Sequence, residues 1–598
     1  MIAWWRPVRR GLQAAIARLL PDWMILVGVL VAFAGALYIT DFNITGVWWL
    51  DRTGELSLFL FLLNSLLNRF NRNLGDFLKA SLFAVIAFVV VILVIWIAVH
   101  PKAGSWDDTV AAAVAFTISG VVFLGILFDR PVMTDPTHGS ARFATDKEIA
   151  PLIATGGLLI GRDIKTGKPL RYRGSAHLLT MAPTRSGKGV GTIIPNLLTA
   201  NRSVFCIDPK GENASICGRA RSRLGPVHIL DPFKLMDRPS AAFNPLVSLD
   251  PSSLDVAEDA ATLADALVDD PPSEGGEAHW NEEAKALITG IILYIVAEEP
   301  KERRTLMTLR EHLTAAPNAF LALLARMQGI SAVGGLIARA ANRHLGKSDR
   351  EAASVLSAAQ RHTHFLDSPR IAAVLSRSDF AFADLKLRTS TVFLVLPPER
   401  LSTYSRWLRL IVTRSLQDMA KTAVHPPAPV LYLLDEFAAL GHLAPVERAM
   451  GLMAGYGVQF WPILQDVHQL RATYGQRSGT FISNAGVLQV FGINDHDSAR
   501  LVSDLLGQRT VVFDTISQSF NGCSSSEHRT ARSLMTPDEV RNLDQSRQLL
   551  FLAGLRPVIA DKLCYYQDRE FRGMFDRSAL LTPRAEPPSS PDRYAAQE

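Results

Sequence analysis

Hydrophobic positions fall into two regimes along this chain of 598 residues. Through the first 130 or so residues they form long unbroken runs. Three of these, Trp23 to Thr40, Ala80 to Val99 and Thr109 to Phe128, contain no charged residue. About 20 apolar residues in a helix cross the hydrocarbon core of a bilayer. A fourth run, Leu56 to Leu67, is shorter and spans if it is extended toward Trp48 and Trp49. Arg6, Arg9, Arg10 and Arg18 precede the first run, and Arg69, Arg72 and Lys79 precede the run at Ala80. The connections at 41–55 and 100–108 carry mostly Asp and Glu. The positive-inside rule then places the N-terminus, the 68–79 loop and everything after 128 in the cytoplasm. An even number of crossings follows. Four spans, near 23–40, 50–68, 80–99 and 109–128, are favoured over two, and the predicted transmembrane region is 1–135.

From residue 140 the pattern changes to short apolar runs alternating with amphipathic stretches. His177 to Met181, Val204 to Asp208, Val227 to Leu230, Val392 to Leu396, Val430 to Leu434, Val458 to Leu464 and Val487 to Phe491 are almost continuously apolar. Such runs predict strands buried on both faces, as in a parallel sheet covered by helices. The interval 300–380 lacks such strands. It carries helix-start signals instead: Ser348-Asp349-Arg350-Glu351 as a capping box, and Ser368-Pro369 as N-cap and first helical residue. It is expected to be an all-helical insertion between two parts of one α/β domain, 136–299 and 381–580. Thr536-Pro537-Asp538-Glu539 opens a late helix. The last stretch, 581–598, is rich in Pro and Ser and predicts a disordered tail.

Composition sharpens this picture in a few places. Hydrophobic residues make up 48% of the chain, and mean hydropathy is +0.15. The apolar excess sits in the first 130 residues. The net charge of +5 is small for this length, so any basic surface is local. The four cysteines, Cys206, Cys217, Cys523 and Cys564, have neither disulfide-framework nor zinc-site spacing.

The candidate chemistry begins directly after the His177–Met181 run. Ala182-Pro183-Thr184-Arg185-Ser186-Gly187-Lys188-Gly189 lies between a predicted strand and a predicted helix starting at Val190. That order makes a cradle of backbone N–H groups at a helix N-terminus, with a lysine reaching the outer phosphates. Thr184, Arg185, Ser186, Gly187, Lys188 and Gly189 are the candidate binding residues for ATP. The match to G-x-x-x-x-G-K-[ST] departs at both ends. Ala182 stands for the first glycine, and Gly189 for the hydroxyl that touches Mg²⁺. Thr192, one turn on, is a substitute for that hydroxyl. About 250 residues later the run Val430–Leu434 ends in Asp435-Glu436. An apolar strand ending in two acids supplies a Mg²⁺ ligand, Asp435, and a group that polarises the attacking water, Glu436. The run ending at Leu464 is followed by Gln465, placed to sense the γ-phosphate if the strand ends converge. Lys188, Asp435, Glu436 and Gln465 are thus the candidate catalytic residues. Asp208-Pro209-Lys210-Gly211-Glu212 ends another strand on that edge and serves either the nucleotide or a subunit interface.

Taken together, these motifs resemble the type IV secretion coupling proteins of the conjugal TraG class, relatives of hexameric DNA-pumping ATPases. The likeness runs from His138 to Tyr566. It rests on His138-Gly139-Ser140-Ala141-Arg142, the lysine loop, Asp208 to Glu212, Phe243-Asn244-Pro245 and Leu433 to Phe437. Leu464-Gln465, Phe491 to Asp495 and Leu534 to Val540 complete it. The resemblance implies a RecA-like P-loop nucleotide-binding domain of α/β class, with 300–380 as an inserted all-helical domain that engages cargo. It further implies a homohexameric ring on a bacterial inner membrane, using ATP and Mg²⁺. Such a ring docks single-stranded DNA with its relaxase, or secreted effector proteins, onto the inner-membrane channel proteins of a type IV secretion system. A ring of this kind uses an arginine from the neighbouring subunit, for which Arg529 and Arg532 are candidates, although they read better as ordinary surface arginines. A receptor or adaptor for effector proteins, with nucleotide serving assembly, is the alternative. A transporter with its own membrane pathway is disfavoured, because the spans lack charges to line one.

Overall fold

The computed structural model describes residues 137–268, 277–519 and 522–576. The four expected spans and the tail 581–598 lie outside the described residues. Among the described residues, no single helix is long and apolar enough to cross a membrane.

Thirteen strands organise the described part. They are β1 Leu158–Arg162, β2 Pro169–Tyr172, β3 His177–Met181, β4 Val204–Asp208, β5 Val227–Leu230, β6 Thr391–Val395 and β7 Val430–Leu434. After these come β8 Val458–Leu464, β9 Ala485–Val490, β10 Gln508–Ser519, β11 Gly522–Ser533, β12 Arg547–Leu552 and β13 Val558–Asp561. Eleven of them form one sheet in the order β2-β1-β13-β12-β9-β3-β8-β7-β4-β6-β5. From β9 to β5 all neighbours are parallel. These seven strands coincide with the seven apolar runs in the sequence. The other four are antiparallel, so the sheet is mixed where the sequence predicted a parallel one. β10 and β11 make a separate two-stranded ribbon.

Alternate residues of the parallel strands enter two different cores. On β7, Val430, Tyr432 and Leu434 face one, while Leu431 and Leu433 face the other. Two covering layers are why these strands are apolar throughout. One face is covered by a short helical segment, Gly189–Ile193 running into α1 Ile194–Thr199, and by α2 Glu212–Ser222. Asn196 ties α1 to β1. Its buried side chain accepts from Leu159 N–H at 2.8 Å and donates to Leu159 O at 2.9 Å.

Between β5 and β6 the described chain is helical. α3 Val256–Leu267 and α4 Glu277–Glu298 are followed by α5 Leu306–Leu313, α6 Pro317–Gln328, α7 Leu336–Leu345, α8 Asp349–Thr363 and α9 Pro369–Leu375. The interval 300–380 lies inside this longer helical stretch. α4 packs against α3, α7 and α8, and its apolar side chains, Ile288 and Ile291 among them, join the core beneath the sheet. The start signals mark real helix starts but are used unequally: Ser368 heads α9 with Pro369 at its first position and makes no side-chain cap bond, and at Ser348 only half of the expected capping box forms. Ser348 accepts the Glu351 N–H at the head of α8, and Thr536 with Glu539 forms a full capping box.

Candidate nucleotide site

β3, β8 and β7 lie side by side in that order, with Met181 opposite Leu464 and Leu434 opposite Pro462. Their C-terminal ends therefore present the lysine loop, Gln465 and Asp435-Glu436 along one edge. In a parallel sheet that edge is where ligands bind.

The loop is tightly turned. Ala182 N–H donates to Leu464 O at 2.9 Å, which anchors the loop to β8. Ser186 donates to Pro183 O through both its N–H, at 3.2 Å, and its Oγ, at 2.6 Å. Arg185 has φ 64° and Gly187 φ 96°. A left-handed conformation is costly for arginine, and such strain concentrates at ligand sites. Thr184 and Arg185 are exposed, while Ser186 to Val190 are half-buried. The first helical turn begins at Lys188, so its leading N–H groups have no intrahelical acceptor and point along the helix axis.

Lys188 is the hub. Its ammonium donates to Glu436 Oε1 and stands 3.5 Å from Asp435 Oδ1. Glu436 Oε2 accepts the Gln465 amide at 2.9 Å. The three side chains are mostly enclosed: Lys188 is 13% exposed, Asp435 17% and Glu436 24%. Burial pushes the Asp435 pKa up, and the nearby Lys188 ammonium opposes this in part. Burial also raises that of Glu436, but hydrogen bonds from Lys188 and Gln465 outweigh it and leave the carboxyl below its ordinary value. Glu436 sits at φ 50°, a second left-handed non-glycine residue in the site. All four predicted catalytic residues thus meet in one crevice.

Asp208 belongs to the same edge. β4 is the neighbour of β7, with Ile207 opposite Leu434, which sets Asp208 beside Asp435. It is fully buried and accepts the Ala214 N–H at 2.8 Å, capping α2. Burial, with Asp435 as a nearby like charge, pushes its carboxyl up to about 7. Its burial could not be seen in the sequence.

One expectation changes. Thr192 does not stand in for the missing hydroxyl: it is fully buried and its Oγ1 donates to Gln489 Oε1 at 3.2 Å. The space before Gly189 is open, since a Cβ there would meet nothing within 4 Å. Arg532 pairs with Glu539 of its own chain at 2.6 Å, and Arg529 lies exposed on β11.

The donor set suits Mg²⁺. One hard carboxylate beside a phosphate cradle is enough, because Mg²⁺ keeps water and phosphate oxygens as its other ligands. Among the described residues, no cluster of three His, Cys, Asp or Glu side chains forms a metal site by itself.

A lysine loop, an acid pair and an amide on adjoining strand ends define a P-loop nucleotide-binding protein. Residues 142–587 match the family described as type IV secretory system conjugative DNA transfer, and the chain belongs to that family, as a type IV coupling protein of the TraG class. It is 28% identical over 554 residues to a conjugal transfer protein TraG of Escherichia coli, covering 81% of this chain and 86% of the relative. It is 29% identical over 479 residues to a protein VirD4 of Rhizobium radiobacter, covering 75% and 67%. The fold resembles the plasmid coupling protein TrwB solved with the non-hydrolysable ATP analogue ADPNP. There the TM-score is 0.54 at 17% identity, covering 74% of this chain and 95% of that one.

Proposed function

We propose that the chain is an inner-membrane coupling ATPase. It recruits single-stranded DNA with its bound relaxase, or secreted effector proteins, to the channel proteins of a type IV secretion system, and it drives transfer by hydrolysing ATP. The observation that carries this reading is the convergence of Lys188, Asp435, Glu436 and Gln465 on one strand edge. TrwB, the structural neighbour, has been solved with an ATP analogue and with ADP and Mg²⁺. The membrane anchor rests on the apolar runs before residue 130 and their flanking arginines. The hexamer rests on the family resemblance.

The residues divide the work. The helix-terminal N–H groups after Gly187 hold the phosphates, and Lys188 neutralises the outer ones. Asp435 would hold Mg²⁺, which would offset the negative charge of the phosphates. Glu436, held ionised by Lys188 and Gln465 before nucleotide binds, is placed to accept a proton from the attacking water. Gln465 orients the Glu436 carboxylate through the hydrogen bond between them. Lys188 is bonded to Glu436, so its transfer to a phosphate releases that carboxylate for catalysis.

The test is ATP hydrolysis by the purified full-length protein, with and without single-stranded DNA. Stimulation by DNA is expected. Lys188→Ala should abolish hydrolysis and conjugative transfer while leaving membrane insertion intact, and Glu436→Gln should retain bound ATP. Wild-type hydrolysis in Lys188→Ala would overturn the proposal. Unchanged effector delivery in that variant would favour the receptor reading.

A further inference from the structure

Another cation reaches the phosphate loop, and it comes from the antiparallel wing of the sheet. β13 runs antiparallel to β12, and β12 antiparallel to β9. β13 therefore points the same way as β9 and β3, and its end opens onto the nucleotide edge. Lys562 follows it directly. Its ammonium donates to the Ser186 carbonyl at 2.8 Å and stands 5.1 Å from the centre of the Phe491 ring. The residues after it continue along the loop and the helix it opens. A Cβ on Gly191 would lie 2.8 Å from Leu563 O, so the backbones touch there. Tyr565 N–H donates to Val190 O at 3.4 Å. This strap is itself braced: Cys564 N–H donates to Asp568 at 3.0 Å, and Arg162 pairs with Asp568 and Glu570, each at 2.8 Å.

The contact falls on the carbonyl of a peptide that leads into a glycine. The Ser186–Gly187 amide is followed by a glycine at φ 96°, with nothing nearer to its Cβ position than Lys562 Nζ at 3.8 Å. Glycine permits either orientation of such a peptide. The amide is planar and trans, so its C=O and N–H point in opposite directions. A turned-over peptide would aim a carbonyl at the phosphates in place of a donor. The ammonium fixes the carbonyl on the outside. The Phe491 ring face favours a cation there. Burial lowers the Lys562 pKa from the usual lysine value, with Asp544 opposing.

We propose that Lys562 is a positioning residue for nucleotide binding: it holds the Ser186 carbonyl away from the cradle so that the Gly187 N–H faces the phosphates. The proposal rests on the nucleotide-site reading above and names a group outside the sequence motifs.

The experiment measures the KM for Mg-ATP, kcat and binding of a fluorescent non-hydrolysable ATP analogue in full-length protein. The variants are Lys562→Met, Lys562→Arg and, as reference, Lys188→Ala. Loss of one charge-assisted hydrogen bond predicts a rise in KM and in analogue Kd of roughly tenfold for Lys562→Met. The kcat should change less, and the melting temperature without nucleotide should stay near wild type. Lys562→Arg, which restores a cationic donor, should recover most of the affinity. Wild-type analogue affinity in Lys562→Met, with binding lost in Lys188→Ala, would overturn the proposal and leave the nucleotide site standing. Normal binding and hydrolysis in Lys188→Ala would overturn both. Equal losses in the Met and Arg variants, together with a lowered nucleotide-free melting temperature, would assign Lys562 to fold stability and also overturn the proposal.

Discussion

Asp208 and Asp435 end adjacent strands, and both are held with their charged forms disfavoured by burial. For Asp208 the sign of the effect on stability is fixed. Its carboxyl titrates near 7 in the folded protein and near ~3.9 in an unfolded chain. Between those values the folded state binds more protons, so stability falls as pH rises from about 4 to about 7 and then levels off. Asp208→Asn removes this titration and keeps an oxygen for the Ala214 N–H. In nucleotide-free, Mg²⁺-free buffer, the variant should gain melting temperature relative to wild type between pH 5 and pH 8. Parallel pH profiles would show that Asp208 is not the titrating group. At this scale the sequence was informative where chemistry is local: Asp435-Glu436 and Gln465 directly follow apolar strands, and Lys188 lies in the short loop after another. It was silent on Arg221, a fully buried guanidinium that donates to Thr391 Oγ1 at 2.8 Å and to Ala200 O at 2.6 Å. Nothing beside Arg221 in the chain marks it.

Among the elements, the turn after β9 shows how closely the parallel strands support the loop. Gly492 has φ 67°, and a Cβ there would come 2.8 Å from Ser186 Cβ. Gly492→Ala therefore combines left-handed strain of about 1 kcal/mol or more with a push on the phosphate loop. It should weaken nucleotide binding several-fold and lower the melting temperature by a few degrees. Gly554, at φ 78° with nothing within 4 Å of a Cβ, is the control. Gly554→Ala should show a stability loss without a change in affinity. Equal affinities in the two variants would mean that Gly492 does not set the loop. The seven parallel strands were legible because burial on both faces makes them continuously apolar. The antiparallel wing was not. Its strands are short and mix polar residues into the core, as with Gln548, which is buried and donates to Ile160 O at 2.9 Å. β10 and β11 carry no run of apolar residues comparable to those of the parallel sheet, and their pairing was not foreseen.

For the whole molecule, the proposed ring makes one more testable claim. If hydrolysis requires neighbouring subunits to act together, inactive Lys188→Ala subunits mixed into wild-type assemblies should depress activity more than in proportion to their number. A straight-line decline with the wild-type fraction would mean that subunits hydrolyse ATP independently. At the start of the described residues, His138 N–H donates to Thr510 Oγ1 at 2.9 Å, and Ser140 bridges to Arg509. The root of the β10–β11 ribbon is therefore in contact with the first described residues after the predicted spans.

By itself the sequence determined what each short segment is suited to: long uncharged runs for a bilayer, continuous apolar runs for a buried parallel sheet, and polar groups at their ends for phosphate chemistry. These properties depend on neighbours within a few residues. The tertiary structure alone decided the order of the strands, and so which ends meet. It set Gln465 between the lysine loop and the acid pair, buried Asp208 beside Asp435, took Thr192 into the core, and brought Lys562 back to a loop 376 residues earlier. Contacts over such separations depend on how the whole sheet is threaded, and no local pattern of hydrophobic and polar residues encodes them.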